Sequence, residues 1–136
     1  MASSSPAPLL LLLSAAVVLS SAAAAVAPAY CAPGQAAQPL TGCRWYVNAR
    51  TGCGATPYMS LWGLKYGCCR ELAAVPPECR CRALRDMVVD VMATTAELES
   101  GCWQRQAEFA AAVVAEAECG LPTIHGGPFC YPLGAE

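Results

Sequence analysis

Ten cysteines constrain this chain more than any other feature, and all ten lie between Cys31 and Cys130. An even count at this density in a short chain reads as a disulfide framework, formed where the surroundings are oxidising. Composition leaves the connectivity open, because ten thiols can pair in hundreds of ways. Local geometry prunes the choices. Cys68-Cys69 and Cys79-x-Cys81 both sit in stretches that read as helical, and on a helix neighbours diverge by about 100° and next-neighbours by about 200°. Each of these four is therefore expected to bridge to a different partner, stapling helices to one another. CC and CxC also occur in metal-thiolate clusters, but zinc ligands are usually spaced CxxC, which is absent, and a cluster has no use for Trp45, Trp62, Trp103, Phe109 and an apolar helix face. No metal and no other cofactor is expected.

An oxidised framework implies export, and the first residues supply the signal for it. Leu9–Leu19 is an apolar run broken only by Ser14, followed by Ser20, Ser21 and a string of alanines. This is the apolar region and small-residue cleavage site of a secretory leader, although its usual basic start is missing. The run falls short of the roughly 20 apolar residues that span a bilayer. Residues 1–25 are read as a signal peptide cleaved after Ala25, and 26–136 as one disulfide-rich helical domain. The expected location is extracellular, or a seed endosperm or storage compartment, with no membrane attachment once the leader is removed.

The first charged side chain is Arg44; the chain carries 8 basic and 10 acidic residues in all, for a net charge of -2. That balance carries no electrostatic footprint for nucleic acid. The length fits one domain, which excludes enzymes with separate cofactor and substrate domains.

Helical periodicity dominates after an irregular, Pro- and Gly-rich lead-in pinned at Cys31. A short helix is expected over Thr41–Arg50, closed by Thr51-Gly52. Gly54–Met59, with Pro57 near its centre, reads as an exposed loop. Ser60 caps a second helix reaching Ala74. Pro76-Pro77 breaks the chain and starts a third near Glu78, whose face is Leu84, Val88 and Val91 flanked by Met87 and Met92. Ser100 caps a fourth over Gly101–Glu118, with Trp103, Ala107, Ala110 and Val114 as its stripe and Cys119-Gly120 as its end. The fold class is all-α: four helices on a disulfide frame, with a modest core hardened by bridges worth roughly 2–4 kcal/mol each.

No catalytic constellation is present. The single histidine, His125, sits in a turn and is expected to hydrogen-bond the tail, and neither a Gly-x-Ser-x-Gly elbow nor a Gly-rich phosphate loop occurs. Paired acids such as Asp86/Asp90 and Glu97/Glu99 read as solvated helix faces. The chain is expected not to be an enzyme.

The cysteine spacing C-x11-C-x9-C-x14-CC-x9-CxC-x20-C-x16-C-x10-C, together with Cys43-Arg44-Trp45-Tyr46-Val47, Cys68-Cys69-Arg70-Glu71-Leu72, Cys79-Arg80-Cys81 and Thr123–Cys130, resembles the cereal-type α-amylase/trypsin inhibitors, relatives of plant lipid-transfer proteins and seed albumins. The resemblance covers the whole of residues 26–136. It implies a right-handed superhelical four-helix fold with the pairs Cys31–Cys79, Cys43–Cys68, Cys53–Cys102, Cys69–Cys119 and Cys81–Cys130. It also implies partners: an α-amylase or a serine protease of insect or mammalian origin.

Two inhibitory surfaces follow from the resemblance. The loop after the third cysteine presents a substrate-like segment to a protease, here Pro57, Tyr58 and Met59. Trypsin's pocket holds a buried carboxylate that takes Arg or Lys, whereas an apolar slot accepts an aromatic, so Tyr58 points to a chymotrypsin-like target. The amylase surface uses the free N-terminus, here Val26, Ala27, Pro28, Ala29 and Tyr30, whose ammonium can sit among the acids of a glycosidase cleft. Glu78 occupies a place where relatives carry an aromatic, and an acid there opposes an acidic cleft. The competing expectations are a lipid-binding module and a seed-storage protein without a target.

Overall fold

The computed structural model describes residues 30–36, 38–92 and 101–133. The leader, Val26–Ala29, Glu97, Glu99 and Ser100 lie outside the described residues. Four α-helices account for most of the remainder: α1 (Thr41–Thr51), α2 (Leu61–Ala74), α3 (Arg80–Met92) and α4 (Cys102–Ala112), with a 3-10 turn at Pro77–Cys79. There is no strand among the described residues. α1 packs on α2 and α4, and α3 packs on α4.

The helix ends follow local chemistry. Ser60 accepts from the Gly63 N–H and caps α2. α1 has no cap from its own sequence. Instead the Glu71 carboxylate reaches across from α2 and accepts from the Gly42 and Cys43 N–H groups at 2.9 and 3.1 Å, placing an anion at the positive end of α1. Gly52, at φ 68°, closes α1 in the left-handed conformation. The Pro76-Pro77 break produces a 3-10 turn before α3, because the Cys79 N–H reaches the Pro76 carbonyl at 2.8 Å.

α4 is shorter than periodicity suggests. It begins after Gly101, which takes φ 66°, and ends at Ala112 rather than running to Glu118. Residues 113–119 form turns in which the Cys119 N–H bonds the Val113 carbonyl and the Gly120 N–H bonds the Ala115 carbonyl. Two tertiary ties account for this. Cys119 is bridged to Cys69 on α2, and Glu118 is drawn into a cluster with Tyr46, Arg50 and Lys65.

Five disulfides join the elements: Cys31–Cys79, Cys43–Cys68, Cys53–Cys102, Cys69–Cys119 and Cys81–Cys130. Neither the adjacent pair nor the CxC pair closes on itself. Inside the frame, Tyr46, Leu72, Leu84, Val113 and Val114 are wholly buried. Arg80 is buried with them and donates to the Leu72, Ala73 and Pro122 carbonyls at 2.9, 3.3 and 2.7 Å. One guanidinium thus closes the last turn of α2 and ties the tail to it, and burial lowers its pKa from the usual value.

Candidate functional site

The loop between α1 and α2 is built on a rigid base. Cys53 is buried and bonded to Cys102 at the start of α4. Gly54 then takes φ +81°, and a Cβ there would lie 2.7 Å from the Asn48 amide nitrogen. At that φ, and with that approach, a larger residue would be strained and would displace the Asn48 amide. Asn48 projects from α1 under the loop and donates to the Ala55 carbonyl at 2.9 Å. Its own oxygen accepts from Gln106 on α4 at 2.9 Å, and the same Gln106 nitrogen reaches the Cys53 carbonyl at 3.4 Å.

Above this base the chain turns sharply. The Met59 N–H bonds the Pro57 carbonyl at 2.8 Å, a three-residue turn with Tyr58 at its centre. The Tyr58 side chain stands wholly in solvent, at 107% relative exposure, while Met59 is 54% exposed and comes near Gly63 of α2. The far end is held by the Ser60 cap. Pro57, Tyr58 and Met59 therefore form the tip of a loop anchored on both sides. Beyond it Trp62 stacks on Tyr66 along α2, ring centroids 5.6 Å apart.

A second surface lies across the molecule's other bridges. A groove of about 610 Å³ is lined by Tyr30, Glu78, Arg82, Arg85, His125 and Tyr131, among others. Tyr30 is the one residue of the expected amylase-binding lead within the described residues, and it is 66% exposed. Glu78 does not stand alone there: Arg82 and Arg85, from α3, share the groove with it. The His125 ring stacks on Phe129 and meets Tyr131 edge-on. Its hydrogen bond runs from the backbone N–H to the Thr123 hydroxyl, 3.3 Å away.

The paired acids differ from one another. Asp90 bonds Arg44 at 2.9 Å and Asp86 lies 3.8 Å from Arg82, both on the surface. The Glu118 cluster is more enclosed. The Tyr46 hydroxyl donates to Glu118, and Arg50 and Lys65 approach the same carboxylate at 3.4 and 3.5 Å. Burial first, and then the neighbouring carboxylate, push the Tyr46 pKa up to about 12. Among the described residues no group of His, Cys, Asp or Glu could hold a metal ion.

Sequence reasoning did not single out Asn48, Gln106, Glu71 or Glu118. One signal was available: Asn48 is the chain's single asparagine, set inside a helix where asparagine is a poor former.

Residues 31–130 match the model of a family described as protease inhibitor/seed storage/LTP. The chain is 44% identical over 113 residues to an alpha-amylase/trypsin inhibitor of Eleusine coracana, covering 76% of this chain and 92% of that one. It is 36% identical over 108 residues to chymotrypsin inhibitor WCI of Triticum aestivum, covering 71% and 89%. Among solved structures, the bifunctional inhibitor RAGI superposes with a TM-score of 0.58 at 45% identity, over 74% of this chain and 94% of that one.

Proposed function

This chain belongs to the protease inhibitor/seed storage/LTP family, and from that premise we propose that it is a secreted inhibitor of a chymotrypsin-like serine protease, with Tyr58 entering the enzyme's specificity pocket. It is a hydrolase inhibitor, not an enzyme, in line with relatives named as inhibitors of alpha-amylase, trypsin and chymotrypsin. The observation that carries the finer reading is Tyr58 itself: a fully exposed aromatic ring at the tip of a loop whose base is bonded to α1 and α4.

Such a loop binds tightly for a simple reason. Ordering a flexible segment on an enzyme costs free energy, and here folding has already ordered it. If the Tyr58–Met59 bond is cut, the new amine stays beside the acyl group, because the α2 cap holds one side and the Cys53–Cys102 bridge the other. Resealing then competes with release. The pocket requirement selects the enzyme: an apolar slot takes a phenol ring, whereas a pocket floored by a carboxylate takes a cation.

The groove favours a second target, α-amylase. Removal of residues 1–25 would leave the Val26 ammonium a few residues ahead of Tyr30, and Tyr30 is exposed beside two arginines that offset Glu78. A glycosidase cleft offers the acids such a surface complements. The lipid-binding reading is weaker, since fully buried Tyr46, Leu72, Leu84, Val113 and Val114 fill the space between the helices. The storage reading leaves the built loop unexplained.

The test is an inhibition panel of the mature protein against chymotrypsin, trypsin, and insect and mammalian α-amylases. Chymotrypsin is expected to be inhibited well below micromolar concentration and trypsin spared, and Tyr58→Arg should reverse that order. A protein that inhibits none of the four at micromolar concentration overturns the proposal.

A further inference from the structure

Building on the protease reading, we infer that Asn48 and Gln106 form a buried amide clamp that positions the Tyr58 loop, and that the clamp decides whether the loop acts as an inhibitor or as a substrate. Asn48 is 9% and Gln106 2% exposed. Asn48 spends its donor on the Ala55 carbonyl, three residues before Tyr58, and its acceptor on Gln106. Gln106 extends the chain of bonds to the Cys53 carbonyl. The two amides thus grip the loop's entry strand from beneath, from helices that α1–α4 packing holds still.

The arrangement carries a stability penalty. The Gln106 side-chain oxygen is buried and finds no partner among the described residues. A buried, unpaired carbonyl oxygen is unfavourable, and a core that only needed filling is better served by Leu or Met. The orientation that leaves this oxygen orphaned is the one that aims the amide nitrogen at both Asn48 and Cys53. Gly54 supports the same reading, because its left-handed turn brings its backbone against the Asn48 amide, closer than any Cβ allows. Neither residue touches an enzyme docked on Tyr58. They act through the loop and are positioning residues.

The experiment uses the mature, five-bridge protein and two variants, Asn48→Ala and Gln106→Met. Each is incubated with chymotrypsin, and cuts at every aromatic residue are timed by mass spectrometry. Asn48→Ala is expected to be nicked at Tyr58–Met59 at least tenfold faster than the parent, and Gln106→Met about threefold faster. Cuts after Tyr66 in α2 and Phe129 in the tail, both exposed, should stay at the parent rate. Equal Tyr58–Met59 rates in all three proteins overturn the clamp, as does an increase spread evenly over all bonds, which reports general destabilisation. Should Asn48→Ala fail to fold, Gln106→Met alone decides by the same criterion. The comparison is a ratio of cleavage rates, so it stands apart from the parent reading: a parent that is cut without inhibiting chymotrypsin refutes the protease proposal, and the variants still judge the clamp.

Discussion

The Tyr58 loop and the Tyr30 groove present similar chemistry, exposed aromatic rings on a disulfide frame, but they are held in different ways. Beneath the loop lie a bridge, a buried pair of amides and a glycine whose left-handed turn and close approach to Asn48 would strain any substitute. Around the groove the polar groups come from the 3-10 turn, α3 and the tail, half-buried or exposed, and the rings stack on one another instead of on the core. A loop that must survive contact with a protease needs its backbone immobilised, because the enzyme attacks backbone. A surface that only fills a glycosidase cleft needs charge and area, and those tolerate motion.

The sharpest way to break this contrast is to remove one bridge at a time. Replacing Cys53 and Cys102 by serine opens a loop of 49 residues and is expected to lower stability by about 4 kcal/mol. Replacing Cys31 and Cys79 opens one of 48 residues at a similar loss in stability. Their effects on function should diverge: the first raises the chymotrypsin inhibition constant a hundredfold or more, the second leaves it within threefold. Equal losses of inhibition from the two would abolish the distinction between the regions.

Arg80→Met comes next. Its three carbonyl partners lose a buried cation, which should cost about 3 kcal/mol in urea unfolding. Because Arg80 ties α2 to Pro122 on the tail, the groove should loosen while chymotrypsin inhibition stays unchanged. The Glu118 cluster gives a smaller, pH-dependent effect. The Tyr46 pKa is raised from 10 to about 12 by the fold, so the native state holds its phenol proton longer than the unfolded chain does. The stability gained is whole below pH 10 and is lost as pH rises toward 12. Unfolding midpoints measured across that window should fall, and Tyr46→Phe should flatten the slope. The smallest effect belongs to Glu78→Ala in the groove. Removing one half-buried acid is expected to tighten α-amylase inhibition about threefold and to leave the protease arm untouched.

Much of this was legible along the chain. The cysteine spacing, the Ser60 cap and the Pro76-Pro77 break are local signals, and each element they mark is present. Tyr58 as the loop's exposed residue follows from its place between Pro57 and Met59. The end of the fourth helix was not legible, because apolar periodicity continues through Val113 and Val114 while the Cys69–Cys119 bridge and Glu118 pull the backbone out of the helix. Glu71 capping a different helix was equally hidden, since a cap 29 residues away leaves no pattern in its own neighbourhood. Glu78 looked adverse in isolation, and its companions Arg82 and Arg85 become neighbours only when α3 turns them toward it.

The order of cysteines, prolines and helix formers determined by itself that the chain is a set of short helices under oxidised cross-links with a Tyr at the head of one loop, because those properties depend on residues a few positions apart. Only the folded molecule decided how that loop is gripped. Asn48 and Cys53 lie close together in the chain, but Gln106 comes from 58 and 53 residues further along, and a hydrogen bond forms over about 3 Å of space however many residues intervene.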